Sequence, residues 1–161
     1  MRIPVTTLLL IMMAFHESSS GIPIKKRNCD EICPENFVDF LGHCYQYFGK
    51  ETTWSEAEEN CKHYEGHLAS VPSAEVNNFI ISLIKKSNGN TLAATWLGGY
   101  NTVKDGTFMW TDGSKFGFQH WNENQPDNYG GYEHCVHIIG GNTGVWNDLS
   151  CSTKLAYVCA I

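Results

Sequence analysis

The residues best equipped for chemistry lie late in the chain. The stretch NENQPDNYGGYEHC, residues 122–135, sets Gln125, Asp127 and Glu133 around a proline and two glycines, with Glu133 two residues before Cys135. Asn147 and Asp148 form a further oxygen-bearing pair just before Cys151. Oxygen donors in this number suit calcium, which takes about six to eight of them, and not zinc, which prefers nitrogen and sulfur. Asp127, Glu133 and Asp148 are carboxylates, so together they exceed the charge of a divalent cation by one. An EF-hand does not fit. Twelve positions counted from Asn122 end on Glu133, but the fifth is Pro126 and the sixth is Asp127, where the sharp turn needs glycine. The competing reading is a plain polar turn, since Asn, Asp, Gly and Pro gather in turns without any ligand.

Other chemistry is weaker. His63 and His67 stand four apart, but Gly66 interrupts the helical pattern between them and no Glu follows His63 as a zinc-protease motif requires. No G-x-S-x-G nucleophile motif occurs, and the cysteines are better used as disulfides, so no catalytic residue is assigned and the chain is not read as an enzyme. Lys+Arg number 11 against 17 Asp+Glu, a net charge of -6, which argues against a nucleic-acid partner.

The chain opens with Arg2, an apolar run from Leu8 to Phe15 and Ser18-Ser19-Ser20, read as a signal peptide over residues 1–20. The run falls well short of the roughly 20 apolar residues of a membrane span, so a secreted, extracellular protein without membrane insertion is expected. Residues 21–32 form an N-terminal segment, a propeptide or dimerising tail, in which Lys25-Lys26-Arg27 reads either as a processing site or as a solvated run. Seven cysteines, at 29, 33, 44, 61, 135, 151 and 159, imply disulfides with one thiol over. None shows the C-x-x-C spacing of zinc or redox sites, and spacing alone leaves their pairing open. Cys29 is the leftover, expected to link two chains into a homodimer.

The elements that must position the oxygen-rich loop can be read in outline. Residues 36–48 alternate aromatic and polar residues about Leu41-Gly42, as a hairpin does, with Cys33 and Cys44 placed to staple it. A capping box, Thr53-x-x-Glu56, opens a first helix that carries Ala57, Cys61 and Tyr64 on one face and stops at Gly66. Ser73 caps a second, with Val76, Phe79, Ile80, Leu83 and Ile84 on its apolar stripe and its end before Asn88-Gly89. From Thr95 onward short apolar segments alternate with Gly, Asn and Asp, predicting strands, and Trp96, Trp110 and Trp146 are assigned to the core. Residues 112–135 show little strand character, and loops of that length are usually functional. Helices followed by irregular β structure make an α+β disulfide domain.

Over residues 33–160 the sequence resembles a C-type lectin domain. Trp96-Leu97-Gly98-Gly99 is similar to the family's Trp-Ile-Gly-Leu core motif and Gln125-Pro126-Asp127 to its galactose-type signature; Glu133 precedes a cysteine by two, and Trp146-Asn147-Asp148 resembles its second calcium motif. The resemblance, strongest to secreted fish and venom-type galactose lectins, implies a disulfide-stapled α+β fold of two helices, antiparallel sheets and a long calcium-binding loop. It implies bridges Cys33–Cys44, Cys61–Cys159 and Cys135–Cys151 and a cis bond before Pro126. It also implies calcium held by Gln125, Asp127, Glu133, Asn147 and Asp148, with the same residues and Tyr129 meeting galactose-terminated glycans. The chain lacks the longer glycine-rich insertion that supports the aromatic in some members. Type II antifreeze-like ice-binding proteins and protein-binding modules share the scaffold and are the alternative readings.

Overall fold

The computed structural model describes residues 33–101 and 107–161. The expected signal peptide, the N-terminal segment and Cys29 lie outside the described residues. Among these residues, two α-helices and eight strands follow in the order β1 (Val38–Phe40), β2 (His43–Thr52), α1 (Trp54–Lys62), β3 (His67–Leu68), α2 (Ala74–Ser87), β4 (Thr95–Asn101), β5 (Phe108–Trp110), β6 (Glu133–Ile138), β7 (Trp146–Ser150) and β8 (Leu155–Ala160). No described helix is long and apolar enough to cross a membrane.

Both helices start where their caps place them. In α1 the Thr53 side chain accepts from the Glu56 backbone N–H while the Glu56 side chain accepts from the Thr53 N–H, the reciprocal capping box. Three donors from Thr52 and Thr53 hold the Glu56 carboxyl below its ordinary 4.5, at about 2. In α2 the Ser73 hydroxyl accepts from the Val76 N–H. Its buried stripe of Val76, Ile80, Leu83 and Ile84 packs with Leu97, Val136, Ile138 and Trp146 in the larger core cluster. The chain leaves α1 at the expected place, with the Gly66 N–H donating back to the Cys61 carbonyl oxygen at 3.2 Å. The helix ends at Lys62, and the left-handed residue beyond it is Glu65, at φ 60°. Gly66 has a second role, since a Cβ there would lie 2.3 Å from the Ala160 carbonyl oxygen, so glycine allows the chain to press against β8.

The sheet runs β1-β2-β8-β4-β6-β7, with β3 also on β8 and β5 also on β4. All pairings are antiparallel except β4 with β8, which is parallel, so the sheet is mixed where antiparallel pairing was expected throughout. The long connection between β4 and β8, through β6 and β7, lets two strands far apart in sequence run the same way. Disulfides join Cys33 to Cys44, Cys61 to Cys159 and Cys135 to Cys151. The first staples the N-terminal hairpin, the second ties α1 to β8, and the third closes the connection around β6 and β7.

Trp96, Trp110 and Trp146 are buried, and their neighbours explain why large rings fit there. Gly98 would place a Cβ 2.4 Å from the Leu68 carbonyl oxygen, so this position in Trp96-Leu97-Gly98-Gly99 is a close backbone approach. The indole N–H of Trp146 donates to Asn77 Oδ1 of α2 at 2.9 Å, which fixes the strand that carries Asn147 and Asp148 against the helix.

Candidate functional site

β6 and β7 are antiparallel neighbours, pairing Val136 with Asp148 and His137 with Asn147. Between β5 and β6 the chain crosses back over β7. His120 accepts from the Trp146 N–H and Trp146 accepts from the Asn122 N–H, each at 2.8 Å, so the loop is pinned just before Asn147. The next residues turn through a cis Gln125–Pro126 bond and a short 3-10 turn at Tyr129–Gly131 into Glu133 at the start of β6.

This route brings Asp127, Glu133 and Asp148 together, with a carboxylate oxygen of each within 4.8 Å of the others. Asp148 is fully buried, and its two oxygens accept from the backbone N–H groups of Asp127 (3.1 Å) and Asn128 (2.9 Å). A carboxylate from the sheet therefore sets the shape of the loop. Gln125 sits on the same turn, where its Oε1 accepts from the Asp127 N–H at 3.2 Å. Asn147 precedes Asp148 on β7, where its Nδ2 donates to the Asp148 carbonyl oxygen and lies 3.4 Å from His137 Nε2. Burial holds the His137 imidazole below its ordinary pKa, so a neutral ring faces Asn147.

The electrostatics fit a cation. Burial pushes the Glu133 carboxyl above its ordinary value, and the charges of Asp148 and Asp127 add to the rise. The three carboxylates that meet are hard oxygen donors, a chemistry that suits calcium better than a soft metal.

Tyr129 stands at the rim, 77 % exposed. Its backbone N–H donates to Asp127 Oδ1 at 3.2 Å and to Glu133 Oε2 at 3.3 Å. The backbone that carries this aromatic, which the sequence leaves without a glycine-rich insertion, is thus held by the carboxylates. One contributor was not legible in the sequence. Asn128, left-handed at φ 45°, gives its N–H to Asp148 and accepts the Glu133 N–H on its Oδ1 at 3.1 Å. Asn tolerates that conformation, but an Asn in a polar loop is too ordinary to single out. Neither His63 nor His67 belongs to the cluster: His63 is exposed, and His67 Nδ1 meets the buried Glu58 carboxylate at 2.6 Å, which anchors α1 to β3.

A mixed, disulfide-stapled sheet carrying an oxygen-donor loop defines the class of protein, and comparison with known proteins gives its family. The family model described as Lectin C-type domain matches residues 50–161, and the chain belongs to that family. It is 40% identical over 143 residues to an alpha-N-acetylgalactosamine-specific lectin of Patiria pectinifera, covering 82% of this chain and 84% of that one. It is 34% identical over 134 residues to the galactose-specific lectin nattectin of Thalassophryne nattereri, covering 83% of each. Among solved structures it is similar to the C-type lectin CEL-I from Cucumaria echinata, with a TM-score of 0.75 and 31% identity over 80% of this chain and 96% of that one. A calcium-independent type II antifreeze protein matches with a TM-score of 0.72 and 27% identity, over 80% of this chain and 93% of the other.

Proposed function

We propose that this protein is a secreted, calcium-dependent lectin that binds galactose-type sugars without catalysis. The observation that carries the reading is the convergence of Asp127, Glu133 and Asp148 beside the exposed ring of Tyr129. Gln125, Asp127, Glu133, Asn147 and Asp148 hold the ion, which, when bound, supplies coordination positions for two neighbouring sugar hydroxyls. The protein residues do the rest. Gln125 and Asn147 offer amide donors and the carboxylates offer acceptors to the same hydroxyls, so the donor and acceptor order around Pro126 selects the sugar. Tyr129 meets the apolar CH face of galactose. Relatives described as specific for galactose and N-acetylgalactosamine support this choice and stand nearer in sequence, at 34% and 40% identity, than the antifreeze neighbour at 27%.

Calorimetric titration with methyl galactoside, with and without calcium, tests the reading. Binding is expected with calcium, lost in excess chelator and weakened by acid, because protonated carboxylates do not hold the ion. Galactose binding that persists in chelator, or thermal hysteresis without sugar binding, would falsify it. Cys29 links two chains, so two shallow sites engage clustered glycans with greater avidity. A non-reducing gel is then expected to show a dimer that Cys29→Ser converts to monomer; a wild-type monomer refutes the link.

A further inference from the structure

We propose that the cleft beside Pro126 is a subsite for the saccharide unit adjoining the terminal sugar, an assignment that rests on the galactose reading of the neighbouring loop. The cleft holds about 330 Å³ and is lined by Thr107, Phe108, Phe116, Gln119, Trp121 and Pro126. Pro126 lies between Gln125 and Asp127, so the cleft begins where the oxygen cluster ends. The proposed subsite thus shares one turn with Gln125 and Asp127, two of the residues assigned to the sugar.

The lining suits a pyranose. Phe108, Phe116 and Trp121 are all half-buried, and their rings form one group, with centroids 4.8 Å apart for Phe108 and Trp121 and 5.7 Å for Phe108 and Phe116. Trp121 is fixed from behind by Trp146, whose ring lies 5.8 Å away and nearly perpendicular, and by a parallel backbone bridge to the same residue. Rigid aromatic faces receive the CH surface of a sugar at little conformational cost. Gln119 Oε1 accepts the Trp121 indole N–H at 3.1 Å, leaving the Gln119 amino group to donate to a hydroxyl. Among the described residues, no charged side chain lines the cleft. Its volume is at the low end of ligand pockets, about 300 to 1,000 Å³, and so suits one sugar and not a longer chain.

The test uses the full chain with calcium, titrated with methyl β-galactoside, with disaccharides bearing a terminal β-galactose, and with p-nitrophenyl β-galactoside. At least one disaccharide is expected to bind about 5-fold more tightly than the methyl glycoside. Gln119→Ala, at an exposed position, and Phe108→Leu are expected to bring that ratio toward one. Equal affinity for methyl galactoside and every disaccharide overturns the subsite, as does a ratio that neither variant changes. An aryl galactoside that outbinds every disaccharide overturns its assignment to a sugar. If no galactoside binds at all, the galactose reading itself falls and takes the subsite with it, a result distinct from monosaccharide binding without gain from a second unit.

Discussion

Asn128 acts twice at the site without being one of the oxygen-bearing residues that the sequence singles out. It completes the hold of Asp148 on the loop and, through its Oδ1, fixes the backbone of Glu133. Groups that orient ligands typically change metal affinity by about 10- to 100-fold when removed. Asn128→Ala is therefore expected to weaken calcium binding by at least about 10-fold in a calorimetric titration. Asn128→Gly keeps the freedom to adopt φ 45° and still lacks the acceptor, so a loss shared by both variants belongs to the Glu133 contact and not to backbone strain. Calcium affinity unchanged in both would remove Asn128 from the account. Asp127, Glu133 and Asp148 were legible because carboxylates near cysteines are chemically conspicuous. Asn128 acts through one backbone N–H and one amide oxygen, which any Asn in a polar loop carries, so residue type does not announce it.

The helix starts were legible because a cap is a local bargain between a side chain and the first free N–H groups. The α1 cap has a pH signature. Glu56 accepts from Thr52 and Thr53, and its folded value of about 2 lies below the ordinary 4.5. A depressed carboxylate contributes stability that is present above its unfolded value and is lost as pH falls from 4.5 toward 2. Because Glu56 is exposed, solvent screens the effect, and only its sign is carried forward. Thr53→Ala removes a donor, so the variant is expected to show a shallower fall of melting temperature over that range, with Glu56 titrating higher by NMR. An unchanged Glu56 titration in the variant would show that the cap does not control it. The stop at Gly66 is local and legible, but its reason for being glycine is not: the left-handed residue is Glu65, and Gly66 lacks a side chain because β8 presses against it.

At the scale of the molecule the disulfides differ in what they restrain. Cys61–Cys159 spans 98 residues and Cys135–Cys151 spans 16. Loop-closure entropy assigns about 4.7 kcal/mol to a loop of the first size and about 3 kcal/mol to the second. Cys61→Ala with Cys159→Ala is therefore expected to lower stability more than Cys135→Ala with Cys151→Ala, measured by guanidinium unfolding in chelator so that metal binding does not contribute. The reverse order would show that packing around β6 and β7, and not chain entropy, governs. By itself the sequence determined the helices, the hairpin about Leu41-Gly42, the buried tryptophans and the oxygen character of the 122–135 loop, because caps, periodicity and donor chemistry are written in neighbouring residues. Only the tertiary structure decided the parallel β4–β8 pairing, the close approach at Gly66, the clasp of Asp148 on Asp127 and Asn128, and the aromatic cleft beside Pro126. Each of these joins residues distant along the chain, and their meeting depends on how the whole sheet closes.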